Sequence, residues 1–317
     1  MFLNAISYYI PEERITNSYF TNISGKPEDW YYQRTGIVSR SRAKEHETID
    51  YMSIQAVKNA IKSLPYNIED IDLIIFASYT PNDTVGTTAH VIQREFQIPK
   101  AKVFYLSSAC SSAINALEVI KSFFETGIAS KALLICADHN SAYSNDNDIQ
   151  AGHLWGDAAT ALFFSKEQFS KKEAKLIDIL SQGMGHIGHG PQAVNLHPAN
   201  GGISMPYGKD VFTFACTYIA KFTNDILEKN GYSIPNLSYF ISHQANMRIV
   251  SHVCKELEIP EDKTLSNLQE LGNTGCGSSF LVMAQNIDKF KKDDLICVST
   301  FGGGYSVGSC LFSIVEN

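Results

Sequence analysis

One cysteine stands at a junction where a thiol could act as a nucleophile. Cys110 follows the β-rich run 102–106 and a stretch of small residues, and an apolar segment of helical spacing starts directly after it. The first N–H groups of a helix lack partners inside the helix, and the helix dipole there favours the thiolate, the nucleophilic form. Free cysteines are also among the most buried residues, so an unreactive, packed Cys110 is the alternative interpretation.

Three further segments place polar or glycine residues at predicted strand ends or in the turns that follow. His243 follows the predicted strand 237–242, Asn273 lies in a small-residue turn, and Gly303 lies in a glycine triplet after the predicted strand 294–299. Imidazole and carboxamide groups donate hydrogen bonds, and glycine lets backbone approach a substrate closely. Taken singly, each residue also has a purely structural interpretation. His243 could be a buried histidine with satisfied hydrogen bonds, Asn273 a turn or capping residue, and Gly303 part of an ordinary tight turn.

The elements that must position these residues repeat along the chain. Each half runs helix, buried strand, polar strand end, helix, small-residue turn, helix, buried strand, with low residue identity between the halves. The buried strand 71–78 corresponds to 237–242, and the turn at Cys110 corresponds to the turn at Asn273. The pattern predicts a duplicated α/β fold with a pseudo-twofold axis. Ligands of open α/β sheets bind beyond the carboxyl ends of strands, so one shared site is expected.

The composition excludes several classes of protein. With 317 residues, 44% hydrophobic and 19% charged, the chain is expected to form a large core and not to be disordered. A net charge of −7 argues against a dedicated nucleic-acid binder. The seven cysteines include no C-x-x-C pair, which indicates reduced thiols in a cytoplasmic protein rather than disulfides. We expect no signal peptide and no membrane span, because no apolar run approaches about 18 residues.

A glycine- and histidine-rich segment is the one place that suggests a metal. Residues 180–206 contain His186, His189 and His197, but no carboxylate or thiolate stands at zinc-like spacing. We therefore predict no metal site. A long loop that covers the active site is the preferred interpretation of this segment.

Taken together, Cys110, His243 and Asn273 resemble the Cys-His-Asn triad of the β-ketoacyl-acyl-carrier-protein synthase III family, within the thiolase superfamily. The resemblance covers nearly the whole chain, and ordered motifs at family-like spacing carry it. These motifs are Asp29-Trp30 with Arg34-Thr35-Gly36-Ile37, Ala109-Cys110, Trp155-Gly156-Asp157, His243-Gln244-Ala245-Asn246 with Arg248-Ile249, Gly272-Asn273-Thr274 and Phe301-Gly302-Gly303-Gly304.

The resemblance implies a fold and an activity. The fold is a duplicated, thiolase-like α/β fold of five layers, α-β-α-β-α, with one half over residues 1–166 that carries the cysteine and one over 167–317 that carries His and Asn. The activity is that of an acyltransferase of the 3-oxoacyl-[acyl-carrier-protein] synthase III type. An acyl group passes from a coenzyme A or carrier-protein thioester to Cys110, and decarboxylative Claisen condensation with malonyl-carrier protein follows. A cytoplasmic homodimer without metal or redox cofactor is implied, acting in fatty acid biosynthesis.

The resemblance also implies roles for individual residues. Cys110, His243 and Asn273 are catalytic, and the backbone N–H groups of Cys110 and Gly303 form the oxyanion hole. His243 and Asn273 donate to the enolate oxygen, which requires a neutral imidazole with its proton on Nε2. The remaining expectations are coenzyme A or pantetheine binding by Trp30, Arg34, Gly208, Phe212 and Asn246, carrier-protein docking at Arg248 and Lys255, and an acyl pocket at Val85.

Three departures from the family pattern widen the range of substrates. Val85 replaces a bulky aromatic at the far end of the acyl pocket, which favours a longer or branched acyl chain. An arginine expected near Gln150 is absent, and Thr213 replaces a lysine that some members use for carrier-protein contact. Alternatives to fatty-acid initiation therefore stay open: a ketosynthase or acyltransferase that joins acyl chains into resorcinol- or pyrone-type products, a non-condensing acyltransferase, and a non-catalytic partner subunit.

Overall fold

The framework of the protein is a set of strands that come from both halves of the chain. The structure, a computed structural model, describes residues 1–316. The strands are β1 (Phe2–Tyr9), β2 (Glu13–Thr16), β3 (Ser39–Arg42), β4 (Leu73–Ala77), β5 (Lys102–Leu106), β6 (Lys131–His139), β7 (Asp157–Ser165), β8 (Lys172–Gly183), β9 (Asn195–His197), β10 (Gly202–Ser204), β11 (Tyr239–Ser242), β12 (Leu295–Gly302) and β13 (Ser306–Glu316).

Helices cover this framework and connect its strands. Sequence-encoded caps define several of their ends: the Thr48 hydroxyl accepts from Tyr51 N–H, and left-handed Gly25 and Gly36 end the first two helices. The helices are α1 (Asn17–Ser24), α2 (Glu28–Thr35), α3 (Ile49–Ile61), α4 (Thr88–Glu95), α5 (Ser112–Glu125), α6 (Gly208–Lys229), α7 (Met247–Glu256), α8 (Leu268–Leu271) and α9 (Ser278–Gln285).

The main sheet is continuous across the two halves. Its strand order is β11-β12-β13-β8-β1-β7-β6-β4-β5. The pairs of β4 with β5 and β6, and of β11 with β12, are parallel, and the other neighbours are antiparallel. The halves join where Phe2 of β1 lies opposite Lys175 of β8 and Leu3 lies opposite Ala174.

The alternation of side chains along the buried strands produces the layers. In β4, Leu73 and Ile75 point to one face, where α5 and α9 pack, while Ile74 and Phe76 point to the other, where α3 and α4 pack. The inner cluster also contains Val298 of β12, so α5 and α9 lie between the two halves. Helices α6 and α7 cover the outer face of the C-terminal half. The predicted five-layered α-β-α-β-α order is confirmed.

The two halves match strand by strand except at one edge. The parallel strands β4 and β6 correspond to β11 and β12, and the antiparallel β7 and β1 correspond to β13 and β8. The counterpart of β5 is a single parallel bridge between Phe240 and Thr264. Consequently, the turn at Cys110 follows the edge strand β5, whereas the turn at Asn273 follows the short helix α8.

Some sequence-based expectations required correction. The polar stretch 26–43 contains α2 and β3, and much of the expected loop 180–206 is ordered as the end of β8 and the β9–β10 hairpin. In α2 and β3 the buried residues are themselves mostly polar, namely Thr35, Arg40 and Ser41 beside Tyr31, so little hydrophobic periodicity marks these elements. The division of the chain at 166/167 falls in the connection from β7 to β8 and stays a prediction.

Candidate active site

A largely apolar cavity of about 370 Å³ lies where the strand ends of the two halves meet. Cys110, His243, Asn273 and the glycines 302–304 line it together. The structure therefore brings together the residues that the sequence placed in one site. The predicted cover is present too, because the 180–206 segment supplies part of the wall. The apolar wall includes Val194, Leu196, Ile203, Met205, Val211, Ala215 and Ile219.

Cys110 is held at the cavity by a strained turn. Ala109 adopts a left-handed backbone with φ of 52°, and α5 starts two residues after the cysteine. Burial, followed by the negative charge of Asp138, raises the pKa of the Cys110 thiol to about 12. Desolvation and the Asp138 charge thus act against the thiolate that the start of α5 was expected to favour. Backbone N–H groups of Gly303 and Cys110 itself donate to the sulfur and oppose the shift.

The glycine that ends β12 lets the two halves approach closely. A Cβ atom at Gly302 would lie 2.8 Å from the backbone nitrogen of Cys110 and 2.9 Å from that of Ser111. Only glycine fits there without moving the start of α5. The close approach places the backbone N–H groups of Gly303 and Cys110 beside the same sulfur atom.

His243 sits at the end of β11 as a neutral, partly unpartnered imidazole. Its backbone N–H donates to Ser299 O at 2.8 Å, and its side chain is buried. Burial lowers the pKa of His243 to about 4, so the ring is uncharged at neutral pH. Nδ1 lies 2.9 Å from Ser278 Oγ, while Nε2 has no hydrogen-bond partner among residues 1–316. A buried orphan nitrogen in a cavity wall suits a ligand that completes its hydrogen bond.

Asn273 presents a second neutral donor. Its backbone N–H donates to Leu154 O at 2.8 Å, and its side-chain Oδ1 accepts from Gly275 N–H at 3.0 Å. The Oδ1 contact defines the orientation of the amide and leaves the Nδ2 hydrogens for a ligand. Asn140 supports this turn by donating to the carbonyls of Asn273 and Gly156.

The site therefore offers two N–H groups at the sulfur and two uncharged side-chain donors across the same cavity. Such a set stabilises negative charge on thioester oxygens without itself titrating at neutral pH. Sequence reasoning missed Ser278 and Tyr79, which also belong to this site. Ser278 lies 35 positions from His243, and no spacing rule connects residues that far apart.

A second group of predicted residues lies beside the cavity. The Arg34 guanidinium stacks 4.2 Å from the Trp30 ring centre, and Asn246 Nδ2 donates to Arg34 O at 3.1 Å. The guanidinium of Arg248 lies 5.5 Å from the Phe212 ring centre. None of these five residues lines the cavity itself, but the neighbours of Phe212 and Asn246, Val211 and Ala245, do.

The remaining predicted residues lie farther out. Gly208 begins α6 and lines a neighbouring surface groove, and Lys255 is exposed near the end of α7. Val85 is 85% exposed on the loop before α4 and does not line the cavity of its own chain. Its predicted place in an acyl pocket therefore depends on a second copy of the chain.

Cys276 is a packing residue, and the described residues hold no cluster of metal ligands. Cys276 is buried, and its sulfur contacts Ala77 O at 3.2 Å, which confirms the packing role expected from its turn. Over residues 1–316, no three His, Cys, Asp or Glu side chains are grouped as metal ligands would be. Within the same range, every helix is too short or too polar to cross a bilayer.

Comparisons with known proteins agree with this geometry. Residues 104–183 match the family model for 3-oxoacyl-[acyl-carrier-protein (ACP)] synthase III, and residues 227–314 match the model for its C-terminal part. The β-ketoacyl-[acyl-carrier-protein] synthase III of Aquifex aeolicus is 33% identical over 96% of both chains.

Solved structures give the same result. The Aquifex aeolicus synthase III structure superposes with a TM-score of 0.91 at 30% identity, over 98% of this chain and 99% of that one. The Thermus thermophilus synthase III gives 0.90 at 26% identity, over 98% of both chains. Fold and site thus define a thiolase-fold condensing enzyme of the acyltransferase type. The chain belongs to the 3-oxoacyl-[acyl-carrier-protein] synthase III family.

Proposed function

We propose that the protein condenses an acyl thioester with malonyl-carrier protein in two half-reactions at Cys110. The observation that carries the proposal is the shared cavity, in which two N–H groups meet the Cys110 sulfur while His243 and Asn273 offer uncharged donors. The first pair suits the oxyanion of acyl transfer, and the second suits the enolate of decarboxylation.

The proposed half-reactions balance without a cofactor. In the first, the Cys110 sulfur bonds to the acyl carbon and the C–S bond of the donor breaks. Cys110 loses a proton and the leaving thiol gains one, so the step balances. In the second, malonyl thioester loses CO2, and the enolate carbon bonds to the acyl carbon. The Cys110 sulfur leaves and takes a proton. We assign no metal or redox cofactor to either step.

The binding partners follow from the residues beside the cavity. We assign the coenzyme A or pantetheine portion of the substrates to Trp30, Arg34, Gly208, Phe212 and Asn246. The stacked Trp30–Arg34 pair offers an aromatic face and a cation to a base, and Asn246 joins this pair to α7.

The edge of the sheet supports a homodimer. Strand β5 has a neighbour on one side only, and Phe104 on it is 42% exposed. An unprotected edge with an exposed aromatic favours pairing with another chain. We propose that a second copy covers it, that Val85 of each copy then closes the other's acyl pocket, and that the dimer works in the cytoplasm.

The alternatives carry less support. A non-catalytic partner subunit has no need of the cysteine, the histidine and the asparagine around one cavity. A specialised ketosynthase that joins acyl chains would use the same donors, so acyl preference has to distinguish it. Initiation of fatty acid synthesis is the first choice, in keeping with the synthase III relatives at 33% identity.

A matrix of acyl donors tests the proposal. Purified protein is incubated with acetyl, longer and branched acyl groups on coenzyme A or carrier protein, with malonyl-coenzyme A or malonyl-carrier protein, and products are identified by mass spectrometry. We expect an acyl adduct on Cys110 and a β-ketoacyl product, with longer or branched chains accepted because Val85 is small. No adduct from any donor would contradict the function, and acceptance of acetyl alone would contradict the role of Val85.

Charge reversal tests docking at the two basic residues of α7. With Arg248→Glu or Lys255→Glu, we expect KM for malonyl-carrier protein to rise about tenfold while KM for malonyl-coenzyme A stays within twofold, because only the carrier presents an acidic surface. Lys292→Glu is the matched control, since Lys292 is exposed near the opposite end of β12. An equal rise with both substrates would assign these residues to the coenzyme A portion instead.

A further inference from the structure

The contact between His243 and Ser278 has no role in the reaction as proposed so far. Ser278 is fully buried at the first position of α9, and its Oγ lies 2.9 Å from Nδ1 of His243. The backbone N–H of Gln244 points at the same oxygen from 3.4 Å. The serine hydroxyl thus lies between a donor and a ring nitrogen.

The Ser278 hydroxyl has a single proton, which limits the hydrogen bonds that the serine and the imidazole can form together. A neutral imidazole carries one ring proton, either on Nδ1 or on Nε2. Among residues 1–316, Ser278 Oγ contacts one donor, Gln244 N–H, and one group that can accept, Nδ1 of His243, so the hydroxyl proton is directed to Nδ1. A nitrogen that accepts cannot carry a proton, so the ring proton is left on Nε2.

We propose that Ser278 is a positioning residue that donates to Nδ1 of His243 and thereby holds the ring proton on Nε2, facing the cavity. The N-terminus of α9 supports this arrangement, because its dipole opposes a positive charge on the adjacent ring. The serine acts through the histidine and need not touch substrate. This inference rests on the proposed function only for its catalytic consequence.

That consequence concerns one half-reaction. Decarboxylation needs an Nε2–H donor at the thioester oxygen, whereas acyl transfer relies on the N–H groups of Cys110 and Gly303. Without Ser278, both tautomers of His243 become populated and the donor is present only part of the time. Decarboxylation of malonyl thioester is therefore expected to slow while acyl transfer continues.

The chain offers a matched control for this test. Ser279 is the next residue of α9, equally buried, and its hydroxyl contacts Ser242 O at 3.3 Å rather than His243. Ser278→Ala and Ser279→Ala thus remove the same atom from adjacent buried positions. Comparing them separates loss of the contact to His243 from general damage to the helix start.

Two measurements are made on the full-length protein. The first is 15N NMR of histidine-labelled protein, with His243 assigned by its absence in His243→Ala. We expect the wild type and Ser279→Ala to show the Nε2–H tautomer and Ser278→Ala to show a mixture. The second is CO2 release from malonyl-coenzyme A, which we expect Ser278→Ala to slow by at least about tenfold. About 10³-fold, the cost of losing a whole oxyanion donor, is the upper limit.

The outcomes separate the inference from the proposed function. An Nδ1–H tautomer in the wild type overturns the inference, even if Ser278→Ala does not fold. The inference is also overturned if Ser278→Ala keeps the wild-type tautomer and releases CO2 at the rate of Ser279→Ala. An Nε2–H tautomer in a protein that forms no β-ketoacyl product supports the role of Ser278 and contradicts the proposed function.

Discussion

Cys110→Ser is expected to abolish formation of the acyl adduct, with acyl transfer lowered by about 10⁴-fold or more. The substitution exchanges one atom at the start of α5 and preserves the backbone N–H groups around it. An alcohol ionises far less readily than a thiol, and the cavity already raises the pKa of the thiol to about 12. A serine oxygen in the same place is thus a much weaker nucleophile.

Mass spectrometry of intact protein after incubation with an acyl thioester measures this effect. Cys254→Ser is the control, because Cys254 is a partly buried thiol on α7 and contacts Thr264 away from the cavity. The control is expected to acylate at the wild-type rate. Adduct formation on Cys110→Ser, or its loss in Cys254→Ser, would place the nucleophile elsewhere.

His243→Ala is expected to separate the two half-reactions. Decarboxylation and condensation should fall by about 10²- to 10³-fold, because the enolate oxygen loses one of its two side-chain donors. Acyl transfer should stay within about threefold of wild type. Among residues 1–316, the side chain of His243 hydrogen-bonds to Ser278 and not to Cys110, so it does not serve as the base for the thiol in this structure.

Single-turnover acylation and CO2 release from malonyl thioester are measured side by side for this variant. His46→Ala is the control and should change neither rate, because His46 is exposed ahead of α3 and its ring contacts Tyr51, which is not part of the site. If acylation falls as far as decarboxylation, His243 acts as a base toward Cys110 and the division of labour proposed above is wrong.

Much of the fold could be predicted because the buried strands carry strong signals. The apolar run 71–78 predicted a buried strand, and alternate residues of the observed β4 (Leu73–Ala77) pack against two different helix layers. The rule that ligands bind beyond the carboxyl ends of strands also predicted much of the site. It placed Cys110, His243 and Gly303 together because each follows a strand whose direction the sequence pattern reveals.

The remainder depends on tertiary contacts that leave no periodic trace. Strand β8 was not predicted, since its exposed and buried residues alternate imperfectly along Lys172–Gly183. The raised pKa of the Cys110 thiol could not be predicted from the helix start, because desolvation depends on what packs over the thiol and not on local sequence. Ser278 could not be connected to His243 from the sequence either, because their contact is a tertiary one between the start of α9 and the end of β11.

The two halves of the chain depend on each other through the middle layer of helices, α5 and α9, that they share. The thiol comes from the N-terminal half, while the carboxamide, the imidazole and the glycine of the proposed oxyanion hole come from the C-terminal half. Because α5 and α9 share one apolar cluster with strands of both halves, neither half keeps a complete core alone. A substitution in the core of one half therefore changes the packing that holds the reactive groups of the other half in place.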